Sequence, residues 1–138
     1  MTELVDSSVW IEFLRGTDSA AHLYVRDALL TSPNAVGITE PIAVELLAGP
    51  TTAHALTKIS QLVESLTLIR LDPNLDFAAA ASLHRAARQT GRTVRKMNDC
   101  LIAAVAIRHE LTLVHRDADF DTIASISSLK TRSFAPTA

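Results

Sequence analysis

Three carboxylates flank a stretch of the chain that reads as one helix followed by one short strand. Asp99 begins an apolar run with helical spacing, and Asp117 and Asp119 follow a short apolar segment at 111–114. A helix over 99–109 descends roughly 15 Å at about 1.5 Å per residue, and a strand over 111–115 climbs back roughly 13 Å at about 3.3 Å per residue. We therefore expect Asp99, Asp117 and Asp119 to meet at one edge of the fold, where a proton or a cation must lie between them.

Two further acids come from other parts of the chain. Asp6 ends a predicted strand at 3–6, and Glu45 lies in the helix that follows a second predicted strand at 35–39. Sites in parallel α/β sheets lie outside the carboxyl ends of the strands, and helical side chains lean toward the helix N-terminus. We therefore expect Asp6 and Glu45 to join Asp99 and Asp117 in one acidic pocket.

Each of these acids also has a structural interpretation, as a turn residue, a helix cap, a partner of the helix dipole or a solvated side chain. The apolar neighbours of Glu45 and Asp99 weigh against that interpretation. Clustered carboxylates that face a cleft repel each other unless a divalent cation binds them. Because their oxygens are hard ligands, the sequence predicts Mg²⁺, with Mn²⁺ as the alternative, rather than zinc.

Short apolar strands alternate with helices along the chain, and this alternation predicts an α/β fold with a mostly parallel sheet. A further strand is predicted at 67–71. Ser7 or Ser8 is suited to cap the first helix, and Asn98 is suited to cap the helix that contains Asp99. At 138 residues, with no linker or repeat, the chain is predicted to form a single domain over 1–138.

The composition narrows the class of protein. Apolar residues make up 48% of the chain and aromatic residues only 4%, which predicts an ordered, aliphatic core. Cys100 is the only cysteine, so an internal disulfide is excluded and a reducing compartment is favoured. Charges interrupt every apolar run and no basic leader precedes one, so we expect no membrane partner and a cytoplasmic location.

A basic stretch leads into Asp99. Residues 77–98 contain no acid, while the net charge of the whole chain is −2. A basic surface of this kind can follow RNA phosphates toward an acidic pocket, and the alternative is a solvated helix face and loop. The basic residues of this stretch are Arg85, Arg88, Arg92, Arg95 and Lys96, and we predict that Arg92, Arg95, Lys96 and Arg116 bind nucleic acid.

The acidic pocket suits phosphodiester hydrolysis, in which a metal ion activates water and stabilises the leaving oxygen. The sequence contains no zinc-protease motif, glycine-rich phosphate loop or Cys/His nucleophile pattern. Two other interpretations stay open. One is a receiver-type or phosphatase-like phosphoryl-transfer domain that uses Asp6, with Lys130 as its late lysine, and the other is a non-catalytic binding module for RNA or protein.

Four motifs along the chain carry a family resemblance: Asp6-Ser-Ser, Glu45-Leu-Leu-Ala-Gly, Asn98-Asp-x-x-Ile-Ala-Ala and Asp117-Ala-Asp-Phe. Together and in this order they resemble the PIN-domain ribonucleases. The length and spacing are similar to those of the VapC toxins of bacterial toxin–antitoxin pairs, and the resemblance covers essentially the whole chain.

The resemblance implies a fold, an activity and partners. The fold would be a three-layer sandwich with a four- or five-stranded, mostly parallel sheet between helices. The activity would be Mg²⁺-dependent cleavage of RNA, such as tRNA or another structured RNA, by a homodimer whose active site a cognate antitoxin covers. The implied catalytic acids are Asp6, Glu45, Asp99 and Asp117, and the implied metal ligands are Asp6, Asp99, Asp117 and Asp119.

Two places need separate expectations. His115 stands where the family usually has a small hydroxyl residue, and we interpret it as a substituted strand-end residue rather than a ligand. Trp10, Phe13 and Leu14 are predicted to pack in the core. The alternative, which the resemblance favours, is that they border a groove for a partner peptide.

Overall fold

A five-stranded sheet with strand order β3-β2-β1-β4-β5 forms the centre of the computed structural model, which describes residues 2–136. Every neighbouring pair of strands runs parallel, so the carboxyl ends of all five strands lie at the same edge. The predicted parallel α/β fold is confirmed. The strands are β1 (Glu3–Val5), β2 (Val36–Ile38), β3 (Thr67–Leu68), β4 (Thr112–His115) and β5 (Lys130–Ser133).

Helices connect the strands and flank the sheet. Among them, α5 packs against α6 and α1 packs against α2. A 3-10 turn at Pro33–Ala35 leads into β2. The helices are α1 (Ser7–Arg15), α2 (Ala20–Thr31), α3 (Glu40–Ala48), α4 (Ala53–Ser65), α5 (Pro73–Gln89), α6 (Met97–Arg108) and α7 (Ala118–Ser125).

The core is aliphatic, as the composition predicts, and α6 lies inside it. Side chains of the central strands are fully buried, among them Leu4 and Leu113. Most positions of α6 are also buried, including Ile102 and Ala104 on opposite faces. A helix that is apolar on all sides is stable only in such an interior. The first turn of α6 therefore carries Asp99 into a poorly hydrated environment.

The edge strand β3 is shorter than the predicted strand at 67–71. After Ile69, whose N–H donates to the Ile38 carbonyl oxygen at 2.7 Å, the chain leaves the sheet. The Leu71 N–H donates instead to Glu40 Oε1 at 2.7 Å. A side chain of α3 thus replaces the neighbouring strand as the hydrogen-bond partner, which sequence periodicity does not reveal.

Both predicted helix caps are wrong. Asp6, rather than Ser7 or Ser8, occupies the N-cap of α1 and accepts the Ser8 N–H. The helix with Asp99 begins two residues earlier than predicted, with Lys96 at its N-cap position. Asn98 is inside that helix, and its Nδ2 donates to the Pro41 carbonyl oxygen at 3.2 Å. Asn98 therefore joins α6 to α3 instead of capping a helix.

A groove of about 510 Å³ lies between α5, α6 and the loop before β5, and none of the five predicted site acids lines it. Its polar side holds an ion pair with the buried Asp76, in which Arg108 Nε and Nη2 each donate at 2.8 Å to a different oxygen of the carboxylate. This paired geometry compensates the desolvation of the Asp76 carboxylate. The ion pair accounts for the charged residues here and gives the groove no catalytic character.

Two expectations concern the whole chain. Among residues 2–136, no helix combines the length and the apolar character needed to cross a membrane. The single domain over 1–138 stays a prediction, because residues 1, 137 and 138 lie outside the described residues.

Candidate metal centre

Three carboxylates lie close together at the carboxyl edge of the sheet. One oxygen each from Asp99, Asp117 and Asp119 can be chosen so that all three lie within 4.8 Å of one another. Asp99 comes from the first turn of α6, and the other two come from the segment after β4. The helix and the strand thus return to the same edge, as their lengths predict.

Asp6 reaches the same edge from β1. Its backbone N–H donates to the Val114 carbonyl oxygen at 2.9 Å, which aligns the end of β1 with the end of β4. Its Oδ2 accepts the Ser8 N–H at 3.0 Å and the Ser8 hydroxyl at 2.6 Å. Its Oδ1 is buried and has no hydrogen-bond partner among residues 2–136. Burial raises the pKa of this carboxyl group despite the Ser8 hydrogen bonds.

Asp99 has the clearest electrostatic perturbation of the site. Burial, followed by the charges of Asp6 and Asp117, raises its pKa from 3.8 to about 7, and Lys96 acts in the opposite direction. Its Oδ2 is a second buried carboxylate oxygen without a hydrogen-bond partner in the described part of the chain. Two unpartnered oxygens of this kind are costly unless a proton or a cation compensates them.

Glu45 completes the set from α3. It is half-buried, and its Oε1 accepts the Ser7 hydroxyl at 3.3 Å. Burial and then the charge of Asp6 raise its pKa, and Lys96 lowers it. Since Asp6 and Glu45 both perturb Asp99, the four acids predicted to converge do so, although their individual roles stay predictions.

The donor set fits a hard divalent cation. The clustered atoms are carboxylate oxygens, which Mg²⁺ and Mn²⁺ prefer, and no histidine or cysteine belongs to the cluster found among residues 2–136. The buried oxygens Asp6 Oδ1 and Asp99 Oδ2 are suited to accept a cation, because they receive no hydrogen bond from any residue in the described range 2–136. Asp99, Asp117 and Asp119 can therefore hold such an ion, whereas Asp6 lies outside this three-residue cluster and stays a predicted ligand.

The predicted basic residues differ in what they contact. Arg95 Nε lies 3.2 Å from Asp119 Oδ2, and its Nη2 lies 3.7 Å from Asp117 Oδ1. Arg116 Nε lies 3.7 Å from an oxygen of Glu12. The other two predicted residues, Arg92 and Lys96, are exposed and form no ion pair in the part of the chain that the structure describes.

His115 is fully buried at the end of β4 and is not one of the clustered groups. Its backbone oxygen accepts the Phe134 N–H at 2.7 Å, and its ring lies 5.2 Å from that of Phe120. This is the position of a strand-end residue, as predicted.

Sequence reasoning missed the importance of Ser8. Its hydroxyl donates to Asp6 Oδ2 and accepts the Arg116 N–H at 2.9 Å, which joins the turn after β1 to the turn after β4. A hydroxyl residue two positions after an acid at a strand end is the sequence pattern that indicates such support.

A smaller groove, of about 260 Å³, runs from α1 to α4 and reaches Glu45. Leu14 lines it, together with Ile11 from the same helix. Trp10, by contrast, is fully buried and donates from Nε1 to the Val5 carbonyl oxygen at 2.9 Å, with Phe13 packed edge-on against it. The core prediction therefore holds for Trp10 and Phe13, whereas Leu14 borders a groove.

The receiver-type interpretation does not fit this geometry. Lys130 is the first residue of β5 and is aligned with Thr112, the first residue of β4. Asp6 lies beside the other end of β4, roughly 10 Å further along the strand direction at about 3.3 Å per residue. The lysine that this interpretation requires is thus at the opposite edge of the sheet.

The raised pKa of Asp99 predicts a pH-dependent free energy of unfolding in metal-free buffer. A carboxyl group whose pKa is higher in the folded state favours folding below its unfolded value near 3.8, and this contribution disappears as pH rises through about 7. Replacing Asp99 with Asn should therefore raise the free energy of unfolding at pH 7.5 by roughly 1–3 kcal/mol and leave a smaller difference at pH 4.5. Urea unfolding with EDTA at both pH values measures this.

Asp76→Asn is the matched control with the opposite sign. Its hydrogen bond to Arg108 lowers the pKa of Asp76, so its carboxylate stabilises the fold above the unfolded pKa, and Asn should destabilise the protein at pH 7.5. If Asp99→Asn lowered the free energy of unfolding at pH 7.5 as much as Asp76→Asn does, the buried charge of Asp99 would not be destabilising and the prediction would be wrong.

Comparison with known proteins places this arrangement in a family. Residues 4–126 match the PIN domain. VapC ribonuclease Mb1587 from Mycobacterium bovis and ribonuclease VapC11 from Mycobacterium tuberculosis are each 47% identical to the chain over 131 residues, which cover 95% of this chain and 98% of the relative.

Solved structures show the same fold. VapBC from Salmonella typhimurium, bound to DNA, has a TM-score of 0.78 at 14% identity and covers 96% of this chain and 98% of that chain. VapBC2 from Rickettsia felis, bound to a promoter DNA fragment, has a TM-score of 0.76 at 17% identity, with coverages of 97% and 99%. Given the domain match over most of its length and relatives at 47% identity, the chain belongs to the PIN-domain family, among the VapC ribonucleases.

Proposed function

We propose that this protein is a metal-dependent endoribonuclease that hydrolyses RNA phosphodiester bonds and acts in the cytoplasm as the toxin of a toxin–antitoxin pair. One observation carries the proposal: oxygens of Asp99, Asp117 and Asp119 lie within 4.8 Å of one another in a chain 47% identical to VapC ribonucleases. Asp99 and the neighbouring Asp6 each have a buried oxygen without a hydrogen-bond partner among residues 2–136. The substrate class is structured RNA such as tRNA. Mg²⁺ is the proposed ion, with Mn²⁺ as the alternative.

The metal ligands in this proposal are Asp6, Asp99, Asp117 and Asp119. A bound divalent ion would supply a more acidic water molecule and stabilise the charge on the leaving oxygen. The protein contributes rigidity: helix caps orient Asp6 and Asp117, because each side chain accepts a backbone N–H of the helix that follows it. Both carboxylates are thus aimed before any ligand arrives.

Glu45 is the proposed base that orients and deprotonates the attacking water. Burial and the charge of Asp6 raise its pKa, which brings it closer to neutral pH, where a general base is most effective. The hydroxyl of Ser7 donates to Glu45 Oε1 at 3.3 Å and so fixes the orientation of this carboxylate. Asp99 is another carboxylate of this site, but it is better suited to bind the metal ion than to act as the base, because it is almost fully buried.

Phosphate would approach from the basic side of the pocket. Lys96 is near enough to lower the pKa of both Asp99 and Glu45, and Arg92 precedes it on the same exposed loop. These two cations can offset the repulsion between the acids and the RNA backbone. Arg95, which is paired with Asp117 and Asp119, serves first to neutralise the site itself.

An antitoxin is the proposed protein partner. The solved structures that share this fold include VapBC from Salmonella typhimurium and VapBC2 from Rickettsia felis, both toxin–antitoxin complexes with DNA. The groove beside Glu45 offers such a partner an apolar binding surface, because Ile11 and Leu14 are partly exposed there. A segment lying in it would pass next to the catalytic acids and block RNA. The homodimer is part of the same proposal, and light scattering of the purified protein measures it.

Replacing Asp6 or Asp99 with Asn should lower Mg²⁺-dependent RNA cleavage by roughly a thousandfold, because each change removes a charged ligand from the ion. Asn at position 6 can still accept the Ser8 N–H, so the cap of α1 is kept. Cleavage of bulk tRNA with Mg²⁺ or Mn²⁺, and with EDTA, measures this.

Asp27→Asn is the control for that experiment, since Asp27 is an exposed acid on α2 paired with Arg26. Unchanged cleavage by either site variant would overturn the proposed metal site. Wild-type protein that binds RNA but never cleaves it with either metal would instead favour the non-catalytic binding module.

Arg92→Gln and Lys96→Gln should weaken RNA binding and reduce its salt dependence. Each lost phosphate contact lowers the slope of log K against log salt by about 0.7 for single-stranded RNA. The measurement is tRNA binding across a salt series in the Asp99→Asn background, which prevents cleavage. Lys58→Gln, on the exposed face of α4, is the matched control, and an equal slope for all variants would contradict the predicted basic surface.

Leu14→Asp should abolish neutralisation by the antitoxin while toxicity persists, because a charge in the apolar groove opposes the burial of a partner segment. The test is growth during co-expression with the adjacent reading frame, followed by co-purification. Leu30→Asp on α2 changes an equally apolar but highly exposed residue elsewhere and should be neutralised normally. Equal neutralisation of both variants would place the partner on another surface.

A further inference from the structure

The buried imidazole of His115 contacts the backbone that carries two of the site acids. Its Nδ1 accepts the Asp117 N–H at 3.2 Å. Asp117 Oδ1 then accepts the Asp119 N–H at 2.9 Å. Two successive hydrogen bonds thus run from the end of β4 to the start of α7, and both involve residues of the carboxylate cluster.

The hydrogen bond to Asp117 requires one particular tautomer. A ring nitrogen that accepts an N–H must carry a lone pair, so the ring proton of a neutral imidazole belongs to Nε2. Nε2 points toward Asp121, whose Oδ1 lies 3.4 Å away without hydrogen-bond geometry. Burial lowers the pKa of His115, in agreement with a neutral ring, although the nearby carboxylates act in the opposite direction.

The backbone geometry explains why a histidine can occupy this position. A short polar side chain at a strand end often accepts the N–H two residues later, as serine, threonine and asparagine do in local turns. His115 Nδ1 makes this i to i+2 contact, and its ring additionally fills the space beside Phe120. A short hydroxyl side chain and this imidazole can therefore make the same local contact.

We propose that His115 is a positioning residue for the metal centre: its Nδ1 fixes the turn that aims Asp117 and Asp119 at the bound ion. Ser8 holds the preceding amide, that of Arg116, so the turn has one support from each side. The inference rests on the proposed function, because it assigns a role toward the ion that the acids would hold.

A purely structural role makes a different prediction from a positioning role. Removing a buried ring destabilises the fold whatever else it does, whereas loss of the Nδ1 acceptor alone should loosen the carboxylates. Variants that keep or delete the acceptor at similar volume separate the two. His115→Asn keeps an oxygen near the position of Nδ1, and His115→Leu fills similar space without an acceptor.

Mn²⁺ binding to the purified protein, measured by calorimetry without RNA, is the main test. His115→Leu should bind Mn²⁺ roughly 10- to 100-fold more weakly, as is usual when a group that orients a metal ligand is lost. His115→Asn should stay within about threefold of the wild-type affinity. Val25→Ala, at a fully buried position on α2, should lower the unfolding temperature while its Mn²⁺ affinity stays at the wild-type value.

The tautomer gives a second readout that does not depend on any variant. The ¹⁵N chemical shifts of the His115 ring in the wild-type protein should show an unprotonated Nδ1 and a protonated Nε2. This measurement also serves if His115→Leu does not fold. A proton on Nδ1 would overturn the inference.

The outcomes separate this inference from the proposed function. If wild-type protein and Asp99→Asn both fail to bind Mn²⁺, the metal site itself is wrong and the role of His115 falls with it. If the wild-type protein binds Mn²⁺, Asp99→Asn does not, and His115→Leu binds as tightly as wild type, then the metal site stands and the positioning role is overturned.

Discussion

Mutual repulsion between buried carboxylates at one edge of a parallel sheet is the constraint on which the rest of this structure depends. Asp6 and Asp99 each have a buried oxygen without a hydrogen-bond partner among the described residues. Burial, together with the charges of Asp6 and Asp117, raises the pKa of Asp99 to about 7. Apolar residues of similar volume at these positions would give a more stable fold. In this protein Asp6 and Asp117 cap helices, Ser8 joins the turns after β1 and β4, and Arg95 pairs with Asp119. These contacts hold the acids together although the cluster itself is destabilising.

The convergence of the acids could be predicted because it follows from geometry that varies little between proteins. The rise per residue of a helix and of a strand brings Asp99 and Asp117 to one edge, and parallel strand order brings Asp6 to the same place. The parallel α/β class follows similarly from the alternation of strands and helices. The roles of these acids as metal ligands or as a general base do not follow from position alone and stay proposals.

The details that could not be predicted depend on contacts between segments that are distant in sequence. Asparagine is a residue type typical of helix N-caps, yet the side-chain amide of Asn98 donates to the Pro41 carbonyl oxygen of α3. Leu71 ends an apolar segment that resembles a strand, yet its N–H donates to Glu40 Oε1 rather than to a neighbouring strand. The sequence predicts that Arg95 binds RNA, which stays a prediction, but it does not reveal that the Arg95 guanidinium also lies against two acids. In each case a side chain has several partners within reach, and only the assembled fold selects one.

The hydrogen bonds of Asp6 have a consequence for the denticity of the proposed site. Both donors of Ser8 use the same oxygen, Oδ2, so only Oδ1 remains for an ion, and Asp6 can act only as a monodentate ligand. The Oδ1 of Asp117 accepts one hydrogen bond, from the Asp119 N–H, so its Oδ2 is the oxygen better suited to an ion. Mg²⁺ demands octahedral coordination and releases its waters reluctantly. Ligands limited to one oxygen each would leave part of the coordination sphere to exchangeable groups, which is where a water molecule and a phosphate oxygen of the RNA can meet.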